Sequence, residues 1–159
     1  MPKKLRLSSW QQVQSWLTPQ LERGDVQVVS LDIFDTLLAR IELPEKVQRH
    51  VCRQVAMLVP NAPADQVWPA RQRAEAELRA RALKQGFDNE CRFSELVPLW
   101  IEYWLGHCDA LLVQQVIELE LATEQLALYI KLPVREFLTY LGQYPVRILA
   151  VSDMYLDSV

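Results

Sequence analysis

The chain has 159 residues, half of them hydrophobic and 23% charged, with a formal net charge of -3. That balance is ordinary for a globular protein and gives no clustered basic face of the kind that binds nucleic acid. No apolar run nears the roughly 18 residues of a membrane span, and Lys3-Lys4-Leu5-Arg6 leads into Ser8-Ser9-Trp10 rather than into the apolar segment of a secretory signal, so a cytoplasmic location is expected.

Ser8 or Ser9 can cap a first helix that carries Trp10, Val13, Trp16 and Leu17 on one face. Pro19 should end or kink it, and Gly24-Asp25 is a turn signal. Val26 to Leu31 is short and valine-rich, which reads as a strand. From Pro44 to Gly142 the pattern is helical. Pro44 suits a first helical position, and Val47, Val51, Val55 and Leu58 make an apolar stripe. Pro60-Asn61-Ala62-Pro63 breaks that helix. A second runs from Asp65 to Gln85, closed by Gly86, and its arginines and glutamates read as a solvated face with i,i+4 pairs. A third begins at Ser94, with Leu96, Leu99, Trp100, Tyr103 and Trp104. A fourth begins at Asp109, with Leu112, Val116, Leu119 and Leu126 inward. Trp68, Trp100 and Trp104 read as core aromatics. Pro133 starts a fifth helix that stops near Gly142, and Val146 to Val151 reads as a second strand. Two strands joined by so long a helical crossover should be parallel.

Cys52, Cys91 and Cys108 are odd in number and widely spaced, which argues against a disulfide framework or a zinc site and for reduced thiols. His50 and His107 have no partner at metal-ligand spacing.

The chemistry-bearing segment is Ser30-Leu31-Asp32-Ile33-Phe34-Asp35-Thr36-Leu37-Leu38. It places a carboxylate at the carboxyl end of the first strand, where open α/β sheets bind ligands. The second strand runs into Ser152-Asp153-Met154-Tyr155. The plain alternative is that Asp32 and Asp35 are turn formers and that Ser152 is a helix cap.

An apolar strand, Asp-x-x-x-Thr-Leu, a helical insertion and a second strand ending in serine resemble the haloacid dehalogenase-like hydrolase superfamily. The further pairing with Ser-Asp-Met-Tyr-Leu resembles a branch of predicted hydrolases found with glycosyltransferase domains. The resemblance implies an α/β fold: a Rossmann-like core cut to about two parallel strands (residues 1–40 and 144–159) with an inserted helical cap (residues 41–143). It implies that Asp32 is a nucleophile and a ligand of Mg²⁺, with the Phe34 carbonyl as a second ligand. Thr36 would orient the loop, Ser152 would bind a phosphoryl oxygen, and Asp153 would approach the site. Arg73 or Arg79 would clamp an anionic substrate.

Two departures qualify the activity. The position two after the nucleophile, an acid in phosphatases of this superfamily, is Phe34, which cannot move a proton. Asp35 sits one residue later and is an indirect substitute. The lysine and acidic pair that the superfamily carries beyond its second strand are absent from these 159 residues, so little turnover is expected from this polypeptide alone. The expected substrate is a phosphorylated small molecule, and the expected associations are a homo-oligomer, a C-terminal half or a glycosyltransferase domain. A non-catalytic interaction module and a dehalogenase-like hydrolase, the latter favoured by Phe34, remain as alternatives.

Overall fold

The computed structural model describes residues 6–87 and 89–152. Six α-helices and four short strands form two compact units. One contains residues 6–39 and 128–152, and the other contains residues 40–127.

In the first unit, helix α1 spans Trp10–Glu22 and is capped by the Ser9 side chain, which accepts from the Gln12 N–H. Pro19 does not end this helix. Leu17 and Leu21 are buried on either side of it, against Phe137 and Leu141. Burying two leucines contributes about 3–6 kcal/mol, enough to offset the roughly 3 kcal/mol cost of an interior proline. Strand β1 is Val28–Asp32. Two three-residue strands without a sequence signal, β2 (Leu38–Arg40) and β3 (Leu128–Ile130), pair with each other. Helix α6, Leu132–Leu141, has Pro133 in its first turn, as its sequence implies. It packs with α1 rather than with the helices of the insertion.

Strand β4, Arg147–Val151, pairs with β1 in parallel, with Val28 opposite Arg147 and Asp32 opposite Val151. Paired residues of parallel strands project to one side, and successive residues alternate. Val29 and Leu31 therefore share a face, which packs on the α1–α6 cluster. The opposite face carries Val28, Leu149, Val151 and Asp32, and the three apolar residues are exposed. Parallel sheets are normally covered on both faces.

The second unit is helical. It contains α2 (Pro44–Leu58), a 3-10 turn (Ala64–Gln66), α3 (Val67–Lys84), α4 (Phe93–Leu105) and α5 (Ala110–Ala127). Gly86 follows α3 with φ 80°, the left-handed conformation that favours glycine after a helix. Asp109 caps α5 by accepting from the Leu112 N–H at 2.9 Å. The core gathers Val51 and Val55, Val67 and Ala74, Leu96, Val97, Trp100 and Ile101, and Val116. Trp100 is wholly buried, and its indole N–H donates to the Val67 carbonyl at 2.8 Å.

Three expectations fail here. Leu58 and Leu126 point outward, Leu126 being 81% exposed. The inward row of α5 is Leu112, Val116, Glu120, Glu124 and Ala127, so glutamates replace leucines in its second half. Helix α3 is not a uniformly solvated face, because Arg71 is 0% exposed.

Candidate functional site

β1 delivers Asp32 to the end of the parallel pair. The ladder continues one step beyond it, with the Ile33 N–H donating to the Val151 carbonyl at 3.0 Å. The chain then folds back at once. The Ile33 carbonyl accepts from both the Leu37 and the Leu38 N–H, at 2.9 and 2.8 Å. Asp35 sits at the turn with φ 59°. A left-handed backbone costs most L-residues roughly 1–2 kcal/mol, and aspartate is among the residues that tolerate it. Asp35 therefore serves this turn whether or not it also serves chemistry.

The tight return brings Thr36 back onto Asp32. Its hydroxyl donates to Asp32 Oδ2 at 2.7 Å. One carboxylate oxygen is held in place, while Oδ1 accepts no hydrogen bond from a described residue. Asp32 is exposed. Across the ladder Val151 is its register partner, so Ser152 follows on the adjoining strand. Strand spacing and rise put the two Cα atoms about 6 Å apart. The sheet thus brings together Asp32, Thr36 and the strand end at Ser152, residues remote in sequence. Phe34 lies within the same turn and is half-buried. Asp153 lies outside the described residues.

Arg73 and Arg79 lie on α3 in the helical unit, and both are exposed. The Arg73 guanidinium stacks 4.0 Å over the Tyr103 ring. The Tyr103 hydroxyl donates to Glu77, which also pairs with Arg81. That hydrogen bond holds the Glu77 carboxyl below its ordinary range and raises the Tyr103 phenol. Arg79 interacts with Cys91, whose thiol burial pushes upward. Both arginines have work inside their own unit. Among the described residues, no three of His, Cys, Asp and Glu gather as a metal-binding group. The turn itself carries the carboxylates of Asp32 and Asp35 and the Phe34 carbonyl, a partial set that Mg²⁺ completes with water and phosphate oxygens in other proteins.

No family model and no curated protein matches this chain. Its chemistry is read from its own residues.

Sequence reasoning missed a buried charge network. Arg71 donates both terminal nitrogens to Glu120, at 2.6 and 2.7 Å, with both side chains almost fully enclosed. Its guanidinium lies 5.0 Å from the centre of the Trp100 ring. One turn further along α5, Glu124 is 3.7 Å from Arg40 Nε. Burial pushes the Glu124 carboxyl above its ordinary range, and the Arg40 charge opposes that push. Two glutamates four residues apart on α5, Glu120 and Glu124, were the one available signal, and it is identical to that of an exposed stripe.

Proposed function

We propose that this chain carries the nucleophile of a haloacid dehalogenase-like hydrolase acting on a phosphorylated small molecule. The single observation behind this reading is Asp32 at the carboxyl end of a parallel strand, held by Thr36 and opposite Val151 at the end of β4, the residue before Ser152.

In this reading Asp32 Oδ1, the oxygen free of Thr36, attacks phosphorus. The P–O bond to the leaving group breaks and an aspartyl phosphate forms. Water then attacks phosphorus, returning the carboxylate and releasing phosphate. Thr36 keeps the attacking carboxylate from rotating, which contributes orientation rather than charge. The Ser152 hydroxyl and N–H would stabilise phosphoryl oxygens. Mg²⁺, held by the Asp32 carboxylate and the Phe34 carbonyl, would supply positive charge to the phosphoryl group. Phe34 cannot protonate a leaving group, so substrates with good leaving groups should react fastest. Asp35 is the nearest acid in the sequence to that position.

The test is beryllofluoride, a phosphoryl mimic that binds aspartate carboxylates. Fluorine NMR of the whole chain with Mg²⁺ should show a bound signal that Asp32→Asn abolishes. No bound signal, or one that survives Asp32→Asn, would refute the reading. A second reading, a non-catalytic interaction module, is favoured by the exposed sheet face of Val28, Leu149 and Val151. It predicts self-association or partner binding that Asp32→Asn leaves intact.

A further inference from the structure

We propose that the helical unit carries a binding site for a phosphoryl group between α2 and α3, built from Arg49, Arg53 and Trp68. A cavity of about 120 Å³ opens there, lined by these three residues with Cys52 and Ala64. The volume suits a single oxyanion group and is well below the roughly 300 Å³ at which pockets begin to enclose whole small molecules.

Arg49 and Arg53 are four residues apart on α2, so they share one face. Like charges in that relation destabilise a helix by about 0.2–0.5 kcal/mol. Arg49 is compensated by Glu45, at 2.8 Å, and its guanidinium lies 4.4 Å from the centre of the Trp68 ring. Indole and carboxylate both contact it, while 47% of its side chain stays exposed. Arg53 has no ion pair or hydrogen bond among the described residues. Trp68 likewise has no acceptor for its indole N–H among the described residues. Asp65, next to Ala64 in the sequence, accepts from the Gln66 amide at 3.2 Å and forms no ion pair among the described residues. Cys52 adds no negative charge, because burial pushes its thiol up to about 12. The cavity is therefore lined by two exposed arginines, one in contact with Glu45 and Trp68 and one without an ion pair among the described residues. Their planar forked donors match the oxygens of phosphate.

The site lies in the helical unit and Asp32 in the other unit, and the test runs in the Asp32→Asn background. Calorimetric titration of the whole Asp32→Asn chain should show binding of inorganic phosphate, phenyl phosphate or both, up to about 10 mM. Tighter phosphate points to the free anion, and tighter phenyl phosphate to an ester whose ring meets Trp68. Arg53→Gln should weaken binding at least about tenfold, the effect of one lost charge-assisted hydrogen bond. Arg23→Gln, at an exposed arginine paired with Asp25 in the other unit, should change nothing. Far-UV circular dichroism checks that each variant is folded. Absence of binding in Asp32→Asn overturns the proposal, as does an Arg53→Gln variant that binds like its parent. Equal weakening by Arg23→Gln overturns it too, since that would be diffuse attraction to positive charge.

Discussion

Removing the Glu120 carboxylate would strip Arg71 of its two short hydrogen bonds in the interior and leave it the longer contact to Glu75, at 3.9 Å. Arg71 is 0% exposed and spends two hydrogen bonds, at 2.6 and 2.7 Å, on that one partner. A guanidinium cannot escape by losing its proton, and breaking such a buried pair from one side costs about 3–5 kcal/mol. Urea unfolding of Glu120→Ala, followed by tryptophan fluorescence, should therefore lose that much, with Trp100 beside the pair as a natural reporter. Arg71→Met should lose less, because the Glu120 carboxyl left behind can take up a proton. The double variant Arg71→Met/Glu120→Leu should recover most of the loss, because apolar residues of similar volume replace buried ion pairs at little or no cost. A loss below about 1 kcal/mol in Glu120→Ala would mean that water reaches Arg71, and the buried-pair account would fall.

The Glu124 carboxyl has a raised pKa in the folded chain, so between about pH 4.5 and that value the folded state binds more protons than the unfolded one. Stability should fall as pH rises through this window. Glu124→Gln should flatten the fall in thermal melts, and an unchanged slope would show that the carboxyl is not the titrating group. At pH 8 an aromatic disulfide reagent should label Cys108 quickly, because it is exposed. Cys52 and Cys91 should react only on unfolding, since both are buried and their thiols are pushed up. Fast labelling of more than one thiol would contradict the core packing.

The helices were legible because valine, leucine and tryptophan recur at 3.6-residue spacing and because Pro44, Gly86 and Pro133 mark ends. The two longer strands were legible as short valine-rich runs, and so was the nearness of Asp32 to the end of the second. The β2–β3 pair was not legible, since three residues are too few to set a period. Arg71, Glu120 and Glu124 were hidden because charge at helical spacing reads as solvated, and it takes the packing of α2, α3, α4 and α5 to enclose them. Leu126 failed for the converse reason: α5 is apolar on more than one side, and periodicity did not say which side the neighbouring helices take. Thr36 was expected to shape its loop. Its bond to the Asp32 carboxylate follows from the backbone reversal at Asp35, which single-residue propensities do not specify.

The Ile41 N–H donates to the Ala127 carbonyl at 2.9 Å, so the helical insertion leaves the chain almost where it entered. Every rung between β1 and β4 joins residues about 120 positions apart, and closing so long a loop costs about 4 kcal/mol in chain entropy. Once the insertion has folded, the polymer between the strands behaves like one of about 30 residues, and the cost drops by about 1 kcal/mol. Folding the helices first therefore favours the later pairing of the strands by that amount. A lesion deep in the insertion would slow the meeting of Asp32 and Ser152 without touching either residue.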